Sequence, residues 1–376
     1  LARQSRYRKE SDVATQYADG VFVTVGTRDG LYVFEGDQER RNWTRRGPSL
    51  TGLDISHAIL DPRDERTIWV AANGEDHAAV YRSLDRGETW EMAGEPLPVK
   101  RAWHVQPALA ETPDRVYAGV ADAALYQSDD AGRSWREVDS LSNHETRSEW
   151  MEGGGGLCLH TILTNPDRPD ELVIAMSAVG VFYSADSGRT WEPRNEGTFS
   201  FADMDFGDGP RDIQFRSVHR CVHKVVRNPA NGHLFQQNHD GVYRSEDDGL
   251  TWLDISDGLP ERFGFVIGAT ADGSVYVVPQ QVNMEAFTVR ASGQLTVYRS
   301  RDLGQTWEPL SEGLPVIENV TLYREGMATD LHAAGGVYIG TSDGRLLSTR
   351  DGGQCWEHLA EGLPPVRSVS CEHITN

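Results

Sequence analysis

Cysteine is scarce, with four residues in a chain of 376. A disulfide scaffold needs a far higher density, so apolar packing must supply the core. No run of 18 apolar residues occurs, which excludes a membrane-spanning helix. Basic residues are outnumbered, 36 against 57 acidic, and the formal net charge is −21. This balance argues against a nucleic-acid backbone or an anionic membrane as partner, and favours a cationic, metal-bearing or neutral one. No secretory leader pattern is visible in LARQSRYRKE; the compartment is left open, with the cytoplasm slightly favoured. Sustained helical periodicity is missing as well. The tetraglycine at 153–156 is not followed by GK[ST], so it is no phosphate loop. The composition leaves the oligomeric state open.

What is present is a repeat. SLDRGETW (83–90) returns as SDDAGRSW (128–135), SADSGRTW (184–191), SEDDGLTW (245–252) and SRDLGQTW (300–307), and as TRDGGQCW (349–356). The pattern is S/T-x-D-x-G-x-T/S-W. Such a turn uses the hydroxyl and the Asp carboxylate to accept backbone N–H groups, and uses Gly for a positive φ. The Trp then enters a strand and buries its ring between sheets. Counting Trp43 as a degenerate first copy, the Trp spacings are 47, 45, 56, 61, 55 and 49 residues. Between the copies stand pairs of short β-branched and aromatic runs, such as RVYAGV (115–120) with LYQS (125–128). Seven four-stranded units fit this period. The expected fold is all-β: a seven-bladed propeller of antiparallel blades over 20–376, preceded by a flexible arm, 1–19. The first unit lacks an inner strand, and a spare strand stands at 366–374. The spare strand is expected to complete the first blade and close the ring, leaving no open sheet edge.

The repeat resembles the Asp-box, or BNR, repeat of sialidase-like β-propellers. That resemblance implies that the boxes are hairpins between the third and fourth strands of each blade, on the face opposite the active site. The stretches GGGGLCLH, CVHKVV and QQNHDGVYRS are similar to a bacterial group of single-propeller proteins labelled glycosyl hydrolase or sialidase-like. The Arg-Ile-Pro motif and the Tyr–Glu nucleophile pair of sialidases are not found in the sequence.

On this architecture, inner strands begin at the face opposite the boxes, the top. Three long insertions, 139–156, 195–217 and 280–294, are expected there as loops. Aligning ISHAIL, HVQPAL, CLHTIL and CVHKVV places His57, Gln106, His160 and His223 in one tier, with His104, Cys158 and Cys221 in the tier two residues earlier. His239 falls at a top turn. The expected function is a metal-dependent enzyme acting on a small molecule through activated water or O2. Its ion, Cu, Fe or Zn, would be held by some of His57, His104, His160, His223 and His239, with Cys158 and Cys221 as possible ligands. The bland alternative is a wet channel lined by histidines and buried thiols. A second reading is a glycosidase or glycan lyase using top-loop carboxylates: Glu149 or Glu152 with Asp203 or Asp205. Trp103, Gln106, Trp150, Arg216, Arg290 and Arg324 are the candidate substrate-binding residues for a small molecule or glycan. A third reading is a non-catalytic binding or assembly propeller.

Overall fold

A computed structural model describes residues 20–199, 217–283 and 288–374. The arm 1–19 and the candidates Asp203, Asp205 and Arg216 lie outside the described residues. Seven four-stranded antiparallel sheets form the blades of a propeller. The inner strands of blades 2 to 7 are Asp54–Leu60, Ala102–Pro107, Leu159–Thr164, Val222–Arg227, Gly264–Ala269 and Met327–Thr329. Blade 1 takes its inner strand from the far end of the chain: Val366–His373 pairs with Val21–Thr27, with Val23 opposite Cys371. The ring therefore closes by pairing its two ends in one sheet, as expected.

The core is distributed between neighbouring blades. One cluster joins Leu125 of blade 3 to Ile174 and Phe182 of blade 4, and another joins Val25 of blade 1 to Tyr338 of blade 7. Each such fully buried side chain contributes roughly 1.5–3 kcal/mol. Toward the axis the blades crowd so closely that only glycine fits at some positions. A Cβ at Gly119 would lie 2.4 Å from the carbonyl oxygen of Leu159 on the next inner strand.

The six boxes fold as the repeat chemistry requires. In the copy at 184–191, Ser184 Oγ accepts the Gly188 N–H at 2.8 Å and donates to Asp186 Oδ1 at 2.8 Å. Asp186 also accepts the N–H and the hydroxyl of Thr190, at 2.9 and 2.7 Å. The same donors hold the carboxyls of Asp85, Asp130 and Asp302 at about 2. Cys355 keeps the backbone bond to Asp351 at 3.1 Å. Its thiol replaces the hydroxyl that donates to the carboxylate in the other copies. The indoles of Trp135, Trp252 and Trp307 donate to carbonyls of the preceding blade, so the boxes also join blades. Replacing Ser184 with Ala leaves the buried Gly188 N–H without its acceptor. The expected cost is about 1–3 kcal/mol, read as a lower urea midpoint with an unchanged slope.

Two of the three insertions differ from the loops expected. Residues 280–294 supply a hairpin, Gln281–Asn283 with Thr288–Gln294, and Val316–Val320 adds a third strand. The apolar residues at both ends, Val282, Val289, Ile317 and Val320, make that pairing possible. Residues 139–149 begin at the box level rather than at the top. Ser140 Oγ donates to Gly188 O, and Arg147 reaches the carbonyl of Asp122 in a top turn at 2.8 Å. The segment climbs the outer wall because Leu141 and Trp150 anchor it to the core of blades 3 and 4.

Candidate functional site in the propeller mouth

The inner strands share one irregularity that builds the site. Each of five begins with a β-bulge: pairing shifts between Ile55 and His57, Ala102 and His104, Leu159 and Thr161, Val222 and Lys224, and Gly264 and Ile267. A bulge leaves one residue out of the ladder and re-aims its side chain. The extra residues of blades 2 to 5 are Ser56, Trp103, His160 and His223, and Phe265 lies within the shift of blade 6. All five line a cavity of about 800 Å³ at the top mouth. One step further in stand His57, His104, Thr161 and Lys224.

The tier expected to hold His57, Gln106, His160 and His223 is thus split, and His57 falls level with His104. In the deeper layer His57 stacks on His104, with ring centroids 3.9 Å apart. Glu325 reaches them from blade 7. Its Oε2 lies 3.9 Å from His57 Nε2 and its Oε1 3.6 Å from His104 Nδ1. Lys224 donates to Glu325 Oε2, so an ammonium already occupies the cation position. Burial alone would raise the Glu325 carboxyl. Lys224, then His104 and His57, outweigh that and hold it well below the usual range. Burial pushes His57 well down, assisted by His104, and also lowers His104 against the pull of Glu325. The layer is a buried Glu–Lys ion pair beside two neutral imidazoles.

In the upper layer His160 is fully engaged: Nε2 donates to Val222 O at 3.1 Å and Nδ1 meets Thr161 Oγ1 at 3.1 Å. His223 donates from Nδ1 to Gly264 O at 2.6 Å and turns Nε2 toward Cys221 Sγ, 3.5 Å away. Cys221, His223 and His239 present ligand atoms within 4.8 Å of one another. Cys158 is buried, and burial raises both thiols. Burial, then the guanidinium of Arg324, keeps His160 and His223 well below the ordinary imidazole value. The five histidines therefore do not form one centre.

The other candidates separate as well. Trp103 and Arg324 line the mouth. Gln106 lies three residues along its strand from Trp103, and its amide bonds Pro107 O at 3.2 Å. Trp150 is a core residue: it is buried, packs edge-on against Phe182 and donates to Thr146 Oγ1 at 3.0 Å. Glu152 is exposed and Glu149 partly buried, and neither lines the mouth cavity. Arg290 lies on the strand Thr288–Gln294, and its side chain is outside the described residues. Among the described residues the carboxylate lining this cavity is Glu325. Asp240 lines an adjoining cavity that shares His239 and Phe263 with the mouth.

Three arginine–aromatic pairs frame the opening: Arg101 over Trp103 at 4.8 Å, Arg324 over Phe265 at 5.3 Å and Arg367 over Tyr323 at 4.7 Å. Arg101 and Arg367 both bond Asp54, at 2.9 and 3.2 Å. The sequence reading missed Asp54, Glu325, Phe265, Tyr323 and Arg367. Asp54, Phe265 and Arg367 stand at inner-strand starts, a signal legible only once the register is fixed, whereas Tyr323 and Glu325 precede the inner strand Met327–Thr329.

No family model matches the chain. The oligoxyloglucan-reducing end-specific xyloglucanase of Emericella nidulans is 21% identical over 280 residues, which is 69% of this chain and 30% of that protein. An ancestral GH74 enzyme superposes with a TM-score of 0.58 at 17% identity, over 85% of this chain and 38% of its own. YCF48 from Cyanidioschyzon merolae superposes with a TM-score of 0.51 at 14% identity, covering 83% of this chain and 86% of its own. The chain spans about a third of the length of the xyloglucanase and of the GH74 enzyme. The relative matched in sequence is an enzyme of glycan cleavage. That finding overturns the expected metal-dependent enzyme acting on a small molecule and favours the glycosidase reading. The partition of the histidines removes the five-ligand centre on which the expectation rested.

Proposed function

We propose that this propeller acts on a glycan at its top mouth, as a glycoside hydrolase. The observation that carries the reading is the bulge-built cavity, whose Trp103, Phe265 and Tyr323 rings are each paired with an arginine. Sugars offer apolar C–H faces to aromatic rings and hydroxyls to guanidinium donors, so this lining suits them. The relation to a xyloglucan-cleaving enzyme supports the same substrate class. Hydrolysis conventionally employs two carboxyl groups. Among the described residues Glu325 lines the mouth, and Glu196, Asp240, Asp254 and Glu261 line the adjoining cavity; Asp240 follows His239, which the two cavities share.

The test is release of reducing ends from a panel of neutral and acidic plant and bacterial glycans. Wild-type protein is expected to cleave at least one. Glu325→Gln and Asp240→Asn, each checked for folding, are expected to lower turnover by about 100-fold or more. Full turnover in both variants would remove these carboxylates from the reaction. Glycan binding without cleavage anywhere in the panel would make the protein a binding module instead.

A further inference from the structure

The upper layer holds a ligand set that glycoside hydrolysis does not use. His223 is the extra residue of the blade 5 bulge, Cys221 immediately precedes that strand, and His239 stands on the turn after Leu234–Asn238 in the same blade. The backbone fixes all three: the His239 N–H donates to Cys221 O at 2.9 Å and to Asn238 Oδ1 at 2.7 Å. Phe263 packs edge-on against both imidazoles with centroids 4.9 Å away, and Phe265 lies 4.7 Å from His223.

His223 is set in the tautomer that a metal needs. A carbonyl only accepts, so the 2.6 Å contact to Gly264 O puts the proton on Nδ1 and leaves the Nε2 lone pair facing Cys221. The separation is also right. Bonds of about 2.3 Å to sulfur and about 2.0–2.1 Å to nitrogen, at angles between the tetrahedral and the trigonal, place the two ligand atoms roughly 3.5–3.8 Å apart. Sγ and Nε2 are 3.5 Å apart.

The number and softness of the ligands select the ion. Arg324 lines the same cavity and acts on Cys221 and His223, and Asp240, next to His239, acts on Cys221 with the opposite sign. A divalent ion would call for a fourth ligand. A monovalent soft ion is neutralised by the thiolate and is satisfied by three ligands. We propose that Cys221, His223 and His239 form a binding site for Cu(I) in the mouth of the propeller. Binding exchanges a proton for the ion: the S–H bond breaks, a sulfur–copper bond forms, and the proton leaves to water with no change of oxidation state. The ion takes no part in the hydrolytic step proposed above, while its ligands line the same mouth. The deeper His57–His104–Glu325 group is not a second copy, because Lys224 supplies its cation.

The experiment titrates the full chain with Cu(I) under reductant and without oxygen, against a chromophoric Cu(I) chelator, with Zn(II) run in parallel. One Cu(I) per chain is expected, with one sulfur and two nitrogen neighbours by X-ray absorption. Cys221→Ser and His223→Gln are each expected to weaken binding 100-fold or more, and His57→Gln to leave it unchanged. A second readout needs no variant. Cu(I) is expected to protect Cys221, but not exposed Cys355, from alkylation read by peptide mass. Equal alkylation of Cys221 with and without Cu(I), or a copper shell without sulfur, overturns the site. Zn(II) bound more tightly than Cu(I) overturns the choice of ion.

Discussion

Trp103→Ala is expected to raise KM for a cleaved glycan about tenfold, with kcat and stability little changed. Trp103 is the extra residue of the blade 3 bulge. The ladder does not pair it, so its ring stands at the cavity wall and is only partly buried. Behind it the Arg101 guanidinium lies over the ring at 4.8 Å, and Arg101 is itself fixed by Asp54 at 2.9 Å. The platform is therefore set before a ligand arrives, and little side-chain entropy is lost on binding. Stacking on an aromatic face contributes about 0.5–1.5 kcal/mol beyond the area it covers, and 1.4 kcal/mol is a factor of ten. Trp103→Phe is expected to retain most of the affinity. Isothermal titration with a non-cleaved oligosaccharide and initial rates with a cleaved one separate the two constants. An unchanged KM in Trp103→Ala, with the fold intact by circular dichroism, would place the glycan elsewhere. By contrast, Trp150→Ala is expected to act on stability alone, because that ring is in the core between blades 3 and 4.

The fold was legible because each box turn is local. A hydroxyl, a carboxylate, a glycine and an indole within eight residues specify their own hairpin, and six copies with the degenerate one at Trp43 fix the number of blades at seven. Ring closure was legible too, since a missing first strand and a spare last one answer each other. The site was less legible because its register depends on a bulge, which the period-2 rule cannot foresee. Counting straight along ISHAIL and CLHTIL puts His57 level with His160. In the structure Ser56 is the equivalent of His160, and His57 is level with Thr161. That one-residue slip merged two layers into one set of metal ligands. Glu325 escaped notice for a different reason: its role comes from crossing the axis, and no local pattern in LYREGMA records that.

The deeper layer carries the other large effect. Glu325→Gln is expected to destabilise the protein by about 3–5 kcal/mol, because it leaves the Lys224 ammonium buried without its counter-charge. Side-chain exposure of the two groups is only 8% and 12%. The pair spans the channel from blade 7 to blade 5, so its loss also loosens the ring across its axis. Lys224→Met is expected to cost less, and least at low pH. There Glu325 keeps two imidazoles within 3.9 Å, and either can take up a proton and replace the missing cation. The Glu325→Gln, Lys224→Met double variant is expected to be more stable than Glu325→Gln alone, since no lone charge remains. The pH dependence of the wild type follows from the same groups. His57, His104, His160 and His223 have pKa values below their unfolded value of about 6.5, so below that pH the unfolded chain binds more protons and stability falls. Glu325 has a lowered pKa, so its contribution is present above about 4.5 and is lost as pH falls further. On these groups urea midpoints are expected to drop below about 6.5, set against an opposing gain from Glu372, whose carboxyl burial pushes up to about 8 so that the folded chain takes up a proton there as pH falls from 8. In Lys224→Met the drop is expected to be shallower, because one imidazole becomes a folded-state proton acceptor. An equal pH slope in wild type and Lys224→Met would show that the histidines and Glu325 do not exchange this role.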